Sequence, residues 1–203
     1  MLAIGLTGGI GAGKSALADL YVARGAELVD SDVIAREVVE PGTETLAQLV
    51  ARFGDEILLE EGSLNRQALA DLAFVDSETV AELNNIVHPA IRAELAARRQ
   101  AIRERSGVCL FAIPLLTEDH TNMLELHKIV VVDCPIEVAI DRLVTHRGFP
   151  PADAAARIAS QLTREERNAL GDYVVLNDSD LAHLEAQADQ LWERLLEDAA
   201  NLG

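Results

Sequence analysis

Eight residues near the start of the chain, Gly8-Gly9-Ile10-Gly11-Ala12-Gly13-Lys14-Ser15, fit the pattern G-x-x-x-x-G-K-[ST]. Each fixed position has a chemical reason. A backbone that wraps an anion must turn successive N–H groups inward, through conformations that glycine adopts at little cost. The helix expected to follow adds the positive end of its dipole. Lys14 is a mobile point charge for the outer phosphates, and Ser15 has the hydroxyl that Mg²⁺ needs. The pattern predicts binding of a nucleoside triphosphate by Gly9, Ile10, Gly11, Ala12, Gly13, Lys14, Ser15 and Ala16, with Mg²⁺ arriving on the nucleotide and using Ser15. A second chemical pair, Asp30 and Asp32, closes the next apolar run. If that strand persisted through both, strand alternation would aim the two carboxylates the same way. Basic residues are unevenly chosen: of 17 Lys and Arg only Lys14 and Lys128 are lysine. Arg142, Arg147, Arg157, Arg164 and Arg167 gather late in the chain, and arginine can grip a phosphoryl group with two parallel donors.

The elements that must position these groups alternate. Leu2–Leu6 is an apolar run ending in glycines, the pattern of a parallel strand buried on both faces. Leu17, Leu20 and Tyr21 then repeat at helical spacing, and Gly25 stops that helix. Further strands are expected at Ala26–Val29, Val108–Ile113, Ile129–Asp133 and Tyr173–Leu176. A helix over Val33–Val39 closes at Pro41-Gly42. Residues 43–105 show no strand and four helical patterns, the last two separated around His88-Pro89. Helices at Glu137–His146 and Ala152–Leu162 precede a polar segment, and a last helix begins at an N-cap on Ser179 or Asp180. The fold class is α/β: a five-stranded parallel sheet with helices on both faces, three layers in all. Residues 1–42 and 106–203 form the core, and 43–105 an inserted helical lobe, because some sixty helical residues exceed what a simple crossover needs. Ligands in such sheets sit at the carboxyl ends of the strands.

Composition narrows the function. Apolar residues make up 49% and charged residues 25% of the 203, the balance of a soluble globular chain. A net charge of −17 argues against duplex nucleic acid and against anionic membranes as partners. No apolar run approaches the roughly 20 residues of a membrane span, and MLAIGLTGG lacks the basic region of a signal peptide. Cys109 and Cys134 cannot build a disulfide framework, so a cytoplasmic location is expected. The histidines show no metal-ligand spacing.

The triphosphate motif serves several classes. A GTPase would carry N-K-x-D, and Asn177-Asp178-Ser179-Asp180 lacks the lysine. A motor or transporter ATPase would end a central strand in an acid, whereas VCLFAIP ends in proline and Asp133 comes late. A small-molecule kinase suits the short chain, helical insert and late arginines best, with a nucleotide-binding switch as the reading from another class.

The chain resembles the dephospho-coenzyme A kinase family in GLTGGIGAGKS (5–15), VDSDVIAREVVEPG (29–42), FGDEIL (53–58), LNNIVHP (83–89), IPLLTE (113–118), KIVVVD (128–133), RIASQLTREER (157–167) and VVLND (174–178). The resemblance implies a P-loop kinase core, a helical acceptor-binding lobe, and a helical lid at about 140–167. It implies transfer of the ATP γ-phosphate to the ribose 3′-hydroxyl of dephospho-CoA, with both substrates small molecules. It places catalysis on Lys14, Asp32 and Arg142, and the ATP on the glycine loop with Arg142, Gln161, Arg164 and Asn177. It assigns the acceptor to Thr7, Asp32, Arg36, His88 and the Pro114-Leu115-Leu116 loop. His146-Arg147 stands where many relatives have Arg-Asp. A monomer is expected, with an oligomer left open.

Overall fold

Five apolar runs pair as one parallel sheet in the computed structural model, which describes residues 1–105 and 107–202. The strands are β1 (Leu2–Gly8), β2 (Glu27–Asp30), β3 (Val108–Ala112), β4 (Lys128–Asp133) and β5 (Tyr173–Leu176), ordered β2-β3-β1-β4-β5. β1 is central and every residue of it is buried, which is why it reads as an unbroken apolar run. It pairs with β3 from Leu2↔Val108 to Leu6↔Ala112, and with β4 from Ile4↔Lys128 to Gly8↔Val132.

Two compact units divide the chain: Met1–Asp30 with Ile102–Gly203, and Ser31–Ala101. The core expected at 106–203 starts at Ser106 and ends at Gly203, both outside the described residues. In the first unit, α1 (Lys14–Ala23) and α10 (Leu181–Asn201) cover one sheet face. Leu2, Ile4 and Leu6 face them, and Leu17, Tyr21, Leu184, Leu191 and Leu195 complete that core. Tyr21 stacks on Trp192 with ring centroids 5.5 Å apart, and Asp180 caps α10 by accepting from the His183 N–H at 2.9 Å. On the opposite face a Cβ at Gly5 would press on Leu116 and Leu126, from the segment around α6 (Glu118–Met123). α7 (Ile136–Arg147), α8 (Pro151–Ala159) and α9 (Arg164–Asn168) link β4 to β5.

The second unit is helical: α2 (Ser31–Glu37), α3 (Glu44–Phe53), α4 (Arg66–Ala73) and α5 (Ser77–Ile102), the last crossing the unit boundary. Its core joins Val39, Leu49, Phe53, Ile57, Leu69 and Ala73. The two helices expected on either side of His88-Pro89 are one helix, with Pro89 inside it. An interior proline costs about 3 kcal/mol. Here Leu83, Ile86 and Val87 all pack on the unit's core just before the proline, so burial of the stripe holds the helix through it. Two short helices lie where the apolar pattern shows none. α6 and α9 each start at a threonine with a reciprocal capping partner, Thr117 with His120 and Thr163 with Glu166.

Candidate active site

The glycine loop begins where β1 ends, at Gly8, and closes on α1. The Ala12 N–H donates to the Gly9 carbonyl at 3.0 Å, which tightens the turn. Gly11 and Gly13 take φ of 78° and 94°, the left-handed region that a side chain avoids. Space is short as well: a Cβ on Gly11 would lie 2.8 Å from the Ala139 carbonyl oxygen, and one on Gly13 would collide with the Asn177 amide. Gly13 therefore caps α1 without a side chain, leaving the first N–H groups of a ten-residue helix at the loop. Lys14 is half-buried in the first turn, and Ser15 beside it is exposed.

Three predicted ATP residues hold this loop from behind and from the side. Asn177, 5% exposed after β5, donates through Nδ2 to the Ala12 carbonyl at 2.8 Å. Arg142, on α7, donates from Nη1 to the Asn177 carbonyl at 3.0 Å and from Nη2 to Asn177 Oδ1 at 3.1 Å and to the Ser179 carbonyl at 3.2 Å. A long contact of 3.5 Å runs from Arg142 Nη1 to the Ala12 carbonyl. Gln161 Oε1 accepts from the Ile10 N–H at 3.0 Å. α8 ends at Ala159 and not at Leu162, which frees Gln161 to reach the loop.

The late arginines separate into different uses. Arg164 meets Asp133 side-on, with Nε to Oδ1 at 2.9 Å and Nη2 to Oδ2 at 2.6 Å. Asp133 is the last residue of β4 and only 5% exposed at its side chain. Burial pushes its carboxyl up, but hydrogen bonds from Arg164 and Asn168 outweigh that and hold it below the usual 3.8. Arg167 donates through Nη2 to the Leu162 carbonyl at 2.6 Å and lays its guanidinium on Gly9. A Cβ on Gly9 would lie 2.8 Å from Arg167 Nη1. The sequence offers Arg167 only as one of several late arginines able to grip a phosphate, and the fold is what sets it against the loop.

Two cavities flank this arrangement. One, of about 410 Å³, is lined by Gly9, Ile10, Ala12, Cys134, Gln161 and Arg164 among others. Ile136, Ala139, Ile158 and Leu162 give it an apolar wall suited to a nucleotide base. Cys134 stays a thiol there, because burial pushes it up from its ordinary value. The other, of about 260 Å³, lies between Thr7-Gly8, Pro114–Thr117 and Leu170. Thr7 is buried and donates its hydroxyl to the Pro114 carbonyl at 3.1 Å, so it fixes the Pro114-Leu115-Leu116 loop. Leu115 is 70% exposed, whereas Leu116 is buried.

Asp32, Arg36 and His88 belong to the second unit, and all three are exposed. β2 ends at Asp30, and α2 begins at once with Ser31. Strand alternation therefore does not relate Asp30 to Asp32: Asp32 sits in the first turn of a helix, where a carboxylate is favoured. His88 lies within α5 and not between two helices.

A family model described as dephospho-CoA kinase matches residues 2–183. The dephospho-CoA kinase of Thermobifida fusca is 41% identical over 196 residues, 96% of each chain. That of Mycolicibacterium paratuberculosis is 50% identical over 207 residues, which take in the whole of this chain and 49% of the longer relative. Among solved structures, TT1252 from Thermus thermophilus superposes with a TM-score of 0.77 at 29% identity, covering 96% of this chain and 97% of its own.

Proposed function

The chain belongs to the dephospho-CoA kinase family, and from that membership we infer that it phosphorylates dephospho-CoA in coenzyme A biosynthesis. The observation that carries the reading is the match over residues 2–183 on a chain whose glycine loop, strand ends and loop clamps have the geometry of a triphosphate site. ATP is the donor and the ribose 3′-hydroxyl the acceptor. In the loose transition state of phosphoryl transfer, charge spreads over the equatorial oxygens, so positioning and electrostatics dominate.

The roles we assign are these. Backbone N–H groups from Gly9 to Ala16 cradle the phosphates, and Lys14 neutralises the charge that grows between the β and γ groups. Asp32 accepts or orients the proton of the attacking hydroxyl. Arg36 and His88 bind the acceptor, with the helical unit as its lobe. Thr7 serves the acceptor through the Pro114–Leu116 loop that it pins. Asn177, Gln161 and Arg142 hold the glycine loop in its binding shape, and Arg142 adds positive charge behind it. The lid is best confined to α8 and α9, since α7 buries Ala139 and Leu143.

Ser15 fits a role as ligand to a Mg²⁺ carried in by ATP. It is exposed at the start of α1, beside the phosphate loop. Among the described residues no group of three or more His, Cys, Asp or Glu could hold a metal, so the ion would rest on nucleotide oxygens and water besides Ser15. When bound it screens the β- and γ-phosphate charge. No helix among the described residues is long and apolar enough to cross a membrane. The two lone cysteines suit a reducing cytoplasm, which we propose as the enzyme's location, with a monomer as the working state and an oligomer left open.

The test is ADP release from Mg·ATP with purified protein, comparing dephospho-CoA with AMP, CMP, adenosine, pantetheine and no acceptor. Fast release with dephospho-CoA alone, giving a product that co-migrates with CoA, is expected. Release indifferent to the acceptor would make the chain an ATPase or switch.

A further inference from the structure

Gln161, Leu162 and Arg167 are the residues shared by the two cavities beside the glycine loop. One cavity carries the glycine loop and an apolar wall, and the other carries Thr7, Gly8 and the Pro114–Leu116 loop. A phosphoryl group passed from donor to acceptor must cross the partition between them. Of the three shared residues, Gln161 spends its carbonyl oxygen on the Ile10 N–H, and Leu162 offers only apolar surface and a carbonyl. Arg167 is the cation of the partition.

The other late arginines near the loop are committed elsewhere. Arg164 is neutralised by Asp133 through two parallel bonds. Arg142 places both terminal nitrogens on carbonyl oxygens of Asn177 and Ser179. Arg167 makes one hydrogen bond, to the Leu162 carbonyl, and among the described residues no carboxylate lies within 4 Å of it. Its guanidinium is partly withdrawn from water and pressed on Gly9, the second residue of the phosphate motif. Burial lowers its proton affinity, with Asp133 acting against that shift. A guanidinium stays charged regardless, so its field falls on whatever anion the loop holds.

On the reading that this site is a dephospho-CoA kinase, we propose that Arg167 is a catalytic residue that contacts the transferred phosphoryl group, held in place by the Leu162 carbonyl and by the missing side chain of Gly9. Its two parallel N–H donors suit two equatorial oxygens, whose charge grows as the bond to ADP breaks and the bond to the ribose oxygen forms. Gly9 then has a second purpose beside its place in the loop. A Cβ there would push the guanidinium away, so the glycine leaves it room against the backbone that wraps the phosphates.

The experiment uses Arg167→Ala in the full chain, with Arg167→Lys beside it. Wild-type turnover of dephospho-CoA tests the reading of the site; the variants test the residue. Arg167→Ala is expected to lower kcat by about 10³-fold or more while KM for ATP stays within about threefold. Added guanidinium should restore part of the lost rate, and lysine should not substitute fully, because it lacks the paired donors. Unchanged kcat, or loss of ADP affinity in step with kcat, would overturn the proposal. Should the wild type prove inert with dephospho-CoA, the acceptor assignment falls and Arg167 is judged on nucleotide binding. Arg167→Ala must then lose about tenfold or more in affinity for a non-hydrolysable ATP analogue and keep its affinity for ADP. Equal retention of both would overturn the proposal in that case.

Discussion

Replacing Asn177 with alanine separates two readings of one residue. The resemblance puts Asn177 against the nucleotide, whereas the structure commits its amide to the protein. Nδ2 donates to the Ala12 carbonyl at 2.8 Å, and Oδ1 accepts from Arg142 at 3.1 Å. Ala12 is 2% exposed and Asn177 5%, so water cannot easily replace the amide. In Asn177→Ala the Ala12 oxygen retains only the 3.5 Å contact from Arg142 Nη1, a poor substitute. Arg142 Nη2 loses less, because the Ser179 carbonyl still accepts at 3.2 Å. A buried carbonyl left without its donor costs about 1–3 kcal/mol, and the lost packing adds to that, so about 2–3 kcal/mol is expected.

For a chain of this size that loss lowers Tm by roughly 4–12 °C, readable by calorimetry or circular dichroism. The kinetic signature should accompany it. With the loop released at Ala12, kcat should fall, because the N–H groups no longer face the phosphates in a fixed array. Asn177→Asp sharpens the test. It keeps an acceptor for Arg142 and sets a carboxylate oxygen against the Ala12 carbonyl, so it should be no more stable than the alanine variant. An Asn177→Ala enzyme with wild-type Tm and only a raised KM for ATP would refute the clamp and restore a direct nucleotide contact.

Three further outcomes are expected. Lys14→Ala should lower kcat by about 10²–10³-fold with little change in Tm, since it removes transition-state charge stabilisation and no core packing; steady-state kinetics beside a melting curve checks this. Asp32→Asn should cut kcat by about 10²–10⁴-fold and leave ATP affinity near wild type, measured by titration without acceptor; a matching loss of ATP affinity would make Asp32 part of the nucleotide or metal site. Arg164→Ala strands the buried Asp133 carboxylate and should cost about 2–3 kcal/mol at neutral pH, the low end for a broken pair because Arg164 is 39% exposed. Asp133 has a folded-state value below 3.8, so the bridge contributes fully above 3.8 and is lost as pH falls through the lower folded value; the gap between wild-type and variant Tm should close across that window.

Much of the fold was legible because its signals are local. Strands buried on both faces leave apolar runs, and all five fall within two residues of the positions expected, with β5 matched at Tyr173–Leu176. The glycine loop is legible for the same reason: its shape depends on glycine at Gly11 and Gly13, where φ is positive. Errors came where a local rule met a tertiary one. Pro89 reads as a break, yet Leu83, Ile86 and Val87 anchor the helix that contains it. α6 and α9 are too short to show an apolar period, and only their capping threonines betray them.

The division of labour among the arginines was not legible at all, and the physical reason is general. A guanidinium's residue type fixes its charge and its donors, but its use depends on which acceptors the fold brings to it. Arg164 and Arg167 are neighbours on a five-residue helix, yet one faces the end of β4 and the other the start of the glycine loop. Asp133 could have been weighed as a partner for either. The choice is made by β4, which delivers that carboxylate, buried, to Arg164. Once Arg164 has neutralised Asp133, Arg167 is left beside the loop with its charge uncancelled by any carboxylate within 4 Å among the described residues. Arg142 likewise has no carboxylate within 4 Å among the described residues, but its donors are spent on oxygens of Asn177 and Ser179. What sets the cation on Gly9 apart is its place: it lies against the loop with one hydrogen bond made and donors to spare, as a site for a transferred anion requires.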